Sequence, residues 1–138
     1  MDDLHVRASQ LTINLLDVFS DKPWNWKNLS RNPGITFDDV LTYPDKPWDW
    51  YELSGNPGIT FKNVLEHPDK DWDWDILSGN PNVTFKDVFE NLDESWNWDI
   101  FSENENITKD VLQGNPNEPW DWNELSRNPS IFRWSLSN

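Results

Sequence analysis

Asp71, Asp73 and Asp75 alternate in the run DKDWDWD, the pattern that opens a calcium-binding loop. The glycine and terminal glutamate of such a loop do not follow. Equivalent places elsewhere in the chain hold Pro47 and Tyr51, so acid at a helix N-terminus explains the run better. His5 and His67 are isolated, and no Ser/His/Asp set or His/Glu metal pair accompanies them. Five scattered glycines cannot cradle a phosphate, and the lack of cysteine excludes disulfides and thiolate metal sites. These residues predict no catalytic, metal or cofactor site, hence a protein that is not an enzyme.

Tryptophan is the other candidate. Paired as Trp24/Trp26, Trp48/Trp50, Trp72/Trp74, Trp96/Trp98 and Trp120/Trp122, the rings could form a stacking ladder for bases, sugars or cations. Aromatics at fixed phase are also what a stack of units needs in its core, and we assign all ten to the core. The sequons at Asn28, Asn82 and Asn106 are by-products of the same regularity and are expected to stay unmodified.

The elements that position these residues follow from a repeat. The first tryptophans of the pairs lie 24 residues apart each time. Leu29, Leu53, Leu77, Phe101 and Leu125 keep the same register, as do Ser30, Ser54, Ser78, Ser102 and Ser126. Asn32, Asn56, Asn80, Asn104 and Asn128 follow, with proline next in every copy except at Glu105. Such a period predicts an array in which no unit is stable alone.

Within Asp45 to Pro68, Asp45 reads as an N-cap and Pro47 as a first-turn residue of a helix through Trp48, Trp50 and Leu53. Its end is expected at Gly55 or Asn56 in a left-handed conformation, because Pro57 disfavours further helix. Thr60 should cap a second helix whose apolar stripe is Phe61, Val64 and Leu65. Thr36, Thr84 and Thr108 take the same role in their units. On a helix the paired tryptophans would point about 200° apart, one to the unit's own second helix and one to the next unit. The fold class predicted is an all-α solenoid of about five and a half units with two short helices each. The Ser and Asn ladders should hydrogen-bond the backbone of their own or the next turn.

One repeat domain is expected over 1–138: an N-terminal cap at 1–10, repeats at 11–131 and a degenerate C-terminal cap at 132–138. Thr12 holds the threonine place of an opening half-unit. Phe132, Trp134 and Leu136 make an apolar end that either folds back on the last unit or forms an end contact between two copies, giving a homodimer.

Charge carries the one functional hint. The chain has 11 Lys plus Arg against 25 Asp plus Glu, a net charge of −14, which argues against binding nucleic-acid backbone. Residues 69–92 carry −4 and residues 93–116 carry −5. Asp75, Glu90, Glu94, Asp99 and Glu103 are therefore candidates for a patch that docks a basic protein; the alternative is a solvated surface that keeps a Trp-rich rod soluble. No run is long and apolar enough for a membrane span, and the N-terminus shows no secretory signal, so an intracellular location is expected.

The unit PWDWxxLSxNPxIT, here Pro47-Trp48-Asp49-Trp50, Leu53-Ser54, Asn56-Pro57 and Ile59-Thr60, resembles tandem repeats in uncharacterised proteins of giant DNA viruses of amoebae, of the mimivirus and marseillevirus type. The resemblance spans residues 11–131 and departs at Phe101 and Glu105. It implies a viral origin and a place in an infected host cell, whether cytoplasm, viral factory or nucleus, and it implies no activity. Two functions remain open: a viral scaffold that binds a host or viral protein, and a structural protein that assembles with itself.

Overall fold

Each 24-residue unit places its first tryptophan in a short extended segment, turns into one helix, crosses an Asn-Pro turn and ends in a second helix. The computed structural model describes residues 14–132. The first helices of the five units are α2 (Trp26–Arg31), α4 (Trp50–Ser54), α6 (Trp74–Ser78), α8 (Trp98–Phe101) and α10 (Trp122–Leu125). The second helices are α1 (Leu15–Val18), α3 (Phe37–Thr42), α5 (Phe61–Glu66), α7 (Phe85–Phe89) and α9 (Lys109–Gly114), with α1 belonging to the opening half-unit. A 3-10 turn at Pro129–Ile131 follows, and the described residues include no strand. Successive first helices pack on one another, α2 on α4, α4 on α6 and α6 on α8. The protein is an all-α repeat solenoid.

Helices of four to six residues are far too short to be stable alone. Caps and neighbours set their limits. The first helix begins one turn later than Asp45 suggests: Asp49, not Asp45, is the N-cap, and its carboxylate accepts the N–H of Glu52 at 3.0 Å. Asn25, Asp73, Asn97 and Asp121 do the same in their units. Trp48 and its equivalents therefore lie before the helix rather than on it, so the 200° argument does not apply to them.

The turn after the helix also differs from expectation. Gly55 has φ −96° and ψ −2°, and no described residue has positive φ. The chain leaves the helix through ordinary right-handed and extended conformations because Asn56 holds the turn: its side-chain oxygen accepts the Gly58 N–H at 2.8 Å.

Second helices begin at the threonines. Thr60, Thr84 and Thr108 accept the N–H three residues on, at 3.2–3.3 Å. Asn63 and Asp87 reach back to the threonine N–H and close capping boxes. At Thr36 the Asp39 carboxylate accepts from both the backbone N–H and the hydroxyl. Phe61 and Val64 are buried, but Leu65 is exposed, so the stripe is narrower than expected. In the opening half-unit the N-cap of α1 is Asn14; Thr12 lies outside the described residues, as do the terminal segments 1–10 and 133–138.

The core runs continuously through the units along Leu53, Leu77, Phe101 and Leu125 and along Ile59, Val83 and Ile107, all essentially inaccessible to water. The stack is closest at Gly58, where an added Cβ would sit 2.1 Å from the Ile35 carbonyl oxygen. Asn82 and Asn106 occupy the same place in later units. Their side-chain amides donate to the preceding unit, Asn82 to Pro57 O and Ile59 O at 2.8 and 2.7 Å, and Asn106 to Pro81 O and Val83 O at 2.7 and 2.8 Å. At these two sequons the nitrogen that glycosylation would modify is thus already part of the stack, whereas Asn28 is exposed.

Candidate binding face of the repeat stack

Two ladders of side chains join the units, and the face that remains open is defined by what they leave over. The first ladder is polar and buried. Ser30 Oγ donates to the Trp26 carbonyl at 2.7 Å and accepts the Asp49 N–H of the next unit at 2.9 Å. Ser54, Ser78 and Ser102 repeat both bonds, to Asp73, Asn97 and Asp121 respectively. Asn56 Nδ2 donates backwards to Ser30 O and Asn32 O at 2.8 and 2.9 Å, and Asn80, Asn104 and Asn128 do likewise one unit on each time. The four serines from Ser30 to Ser102 are 0% exposed. No buried side-chain nitrogen or oxygen among the described residues lacks a partner, which is what makes a polar seam of this depth tolerable.

The second ladder is aromatic. The indole N–H of Trp24, Trp48, Trp72, Trp96 and Trp120 donates to the carbonyl five residues earlier, at 2.8–2.9 Å. This bond holds the extended segment against the end of the preceding second helix. The second tryptophan of one unit then meets the first tryptophan of the next edge to face: Trp26–Trp48, Trp50–Trp72 and Trp74–Trp96 at 5.0 Å, and Trp98–Trp120 at 5.3 Å. Phe37 and Phe61 back the pairs that follow them, and Phe85 backs Trp120.

The ten tryptophans are therefore not equivalent, and assigning all of them to the core is corrected here. Trp48, Trp72, Trp96 and Trp120 are buried. Trp24, Trp26, Trp50, Trp74 and Trp98 are half-buried. Trp122 is 59% exposed, and Lys109 stands where earlier units have Phe37, Phe61 and Phe85. His67 is not a free surface residue either. It is half-buried, its ring lies 4.8 Å from Phe37, and its carbonyl accepts the Trp72 indole N–H at 2.8 Å.

The open edge of the half-buried tryptophans carries charge. Lys46 Nζ lies over the Trp26 ring, 5.7 Å from its centroid, and Lys70 Nζ lies over Trp50 at 6.0 Å. Both lysines come from the unit after the ring they cover. The same repeat position holds Glu94 and Glu118 in the two units that follow.

The five candidate patch residues do not converge as one cluster. Asp75 and Asp99 occupy the same place in the first turns of α6 and α8. Asp75 accepts a 3.3 Å bond from Asn97 Nδ2. The neighbouring Asp121 carboxylate, as an acceptor for the protonated form of Asp99 and as a like charge, holds the Asp99 carboxyl above the usual aspartate range. The neighbouring Glu124 carboxylate raises Glu103 in the same way, whereas Arg127 pairs with Glu124 and pulls Glu124 below its ordinary range. Glu103, Glu124, Arg127, Asn128 and Pro129 line a cavity of about 360 Å³ there. Glu90 is the C-cap of α7, and Glu94 lies in the turn before Trp96, so these two belong to another part of the unit. Phe132 is 76% exposed; Trp134 and Leu136 lie outside the described residues.

Asp73 of the calcium-like run caps α6, and among the described residues no group of three His, Cys, Asp or Glu side chains could hold a metal ion. No described helix is long and apolar enough to cross a membrane. The chain matches no family model, and no curated protein or solved structure proves similar to it.

The polar seam was legible only as a ladder of turn residues, because its partners are 19 to 26 residues away in sequence. The ammonium groups over Trp26 and Trp50 were missed. Their signal was present in the K-P-W and K-D-W tripeptides, where a lysine precedes the first tryptophan.

Proposed function

We propose that the protein is a non-enzymatic scaffold of viral origin that presents an acidic face to a basic host or viral protein. The observation that carries this reading is the crowding of carboxylates on the later units, where Asp99 meets Asp121 and Glu103 meets Glu124 with Arg127 alongside. Like charges held together at a surface raise the local potential, and a cationic partner relieves it. The viral source rests on the resemblance of the PWDWxxLSxNPxIT unit. The test is affinity capture on the immobilised full chain from amoebal lysate, with and without infection, eluted by a salt gradient. The reading expects the retained proteins to be basic and to leave as salt rises. A retained set with no charge bias, or one indifferent to salt, would contradict it.

Self-assembly is the second reading, and one feature favours it. Ser126 Oγ donates to the Trp122 carbonyl as its equivalents do, but among the described residues no next-unit N–H meets it, and the Trp122 ring beside it is open. Light scattering over a wide concentration range separates the two, since a head-to-tail contact gives mass that grows with concentration.

A further inference from the structure

The stack contains its own example of what its tryptophan edge binds. Trp26, Trp50, Trp74 and Trp98 stand in near-identical edge-to-face geometry against the next unit. Over the first two of these rings the chain itself supplies an ammonium group, from Lys46 and Lys70. Over the other two the same repeat position is a glutamate, Glu94 for Trp74 and Glu118 for Trp98. A carboxylate is a poor neighbour for the negative face of an indole, and the ring quadrupole and the acid both favour a cation between or beside them. Each ring is half-buried, so its orientation is fixed by packing while an edge stays open to solvent.

We infer that Trp74 with Glu94 and Trp98 with Glu118 form two cation-binding sites, one repeat apart, that receive lysine or arginine side chains of a basic peptide segment. Resting on the scaffold reading above, this inference narrows it to particular residues and a particular ligand chemistry. A segment with two cations suitably spaced gains from both sites at once.

The test replaces the external cation with the repeat's own. Glu94→Lys with Glu118→Lys restores the residue found in the preceding units, so thermal unfolding should match the wild-type chain. Asp38→Lys with Asp110→Lys makes the same change in net charge at exposed positions outside the carboxylate cluster, where the intervening units have Lys62 and Lys86. Oligo-lysine and oligo-arginine peptides are titrated into each full-length chain by calorimetry. The expected result is binding by wild type, weakening of about tenfold or more in the Glu94/Glu118 variant, and a change within about threefold in the Asp38/Asp110 variant. Equal weakening in both variants would mean that only the acidic field acts, and the inference fails while the basic-partner reading stands. Undiminished binding by the Glu94/Glu118 variant would also overturn it. No binding of either peptide by wild type would overturn both.

Discussion

The seam and the edge of this solenoid are built from the same repeat and behave differently along the chain. At the seam, Ser54 and Asn56, Ser78 and Asn80, and Ser102 and Asn104 keep identity, burial and partners from unit to unit. At the edge, the residue beside the tryptophan passes from lysine to glutamate. A buried polar group has few tolerable substitutes, because any loss leaves its partners unpaired away from water. An edge residue faces solvent and is free to change charge without disturbing the stack. Stability is thus concentrated in the seam and the first tryptophans, and the edge, where the recognition proposed above would act, is free to vary.

The largest effect should come from a first tryptophan. Trp72→Ala removes a buried ring, its bond to the His67 carbonyl and its contact with Trp50, and should cost about 3–5 kcal/mol. Trp122→Ala, at the exposed end, should cost less than about 1 kcal/mol. Urea unfolding of the two variants checks the contrast; similar losses would mean that the ten rings share one role.

Asn80→Ala should rank next, at about 3 kcal/mol, because it removes the Asn80 donor from the Ser54 carbonyl, one of two donors from the Asn56 carbonyl, and the acceptor of the Asn82 N–H. The same measurement applied to exposed Asn123 should show little change. Gly58→Ala should follow at about 1–3 kcal/mol, since its methyl group meets the backbone oxygen of Ile35 rather than a movable side chain.

How much of this was readable from sequence depends on how far each residue's partner lies along the chain. The period, the two helices per unit and the threonine caps were readable because their partners are three or four residues away. The start of the first helix was not. Asp45 and Asp49 are both acceptable caps by local rules, and Pro47 suits a first turn. What selects Asp49 is Ser30, which accepts its N–H, and the Tyr43 carbonyl, which holds the Trp48 indole outside the helix. The left-handed turn expected at Gly55 or Asn56 failed for a related reason: the Asn56 side chain satisfies the turn and reaches back to the previous unit, so no unusual backbone is needed. The candidate patch was readable as composition only. Asp99 and Glu103 meet their partners Asp121 and Glu124 because those residues are one unit away, whereas Glu90 and Glu94 sit elsewhere.

The smallest expected effect concerns that acidic pair. The Asp99 carboxyl is raised in the folded chain, so the folded state binds the proton more tightly than the unfolded state. The charged pair therefore opposes folding at neutral pH, and this opposition disappears as pH falls through the raised value toward the ordinary aspartate range near ~4. Asp99→Asn, which copies Asn123 of the last unit, should give a small rise in Tm at pH 7 that vanishes at about pH 4. A Tm below wild type at pH 7 would show that Asp99 stabilises the stack as a carboxylate.

The division of labour between the paired tryptophans is the central claim, and solvent exchange of the indole N–H protons measures it directly. The first tryptophan of each interior pair gives its N–H to a carbonyl of the chain. Among the described residues no acceptor meets the indole N–H of Trp26, Trp50, Trp74 or Trp98, which leaves those groups to water. In assigned NMR spectra of the full chain, the indole protons of Trp48, Trp72, Trp96 and Trp120 should exchange slowly and those of Trp26, Trp50, Trp74 and Trp98 rapidly. Uniform protection across both sets, or fast exchange at Trp72 and Trp96, would contradict the account.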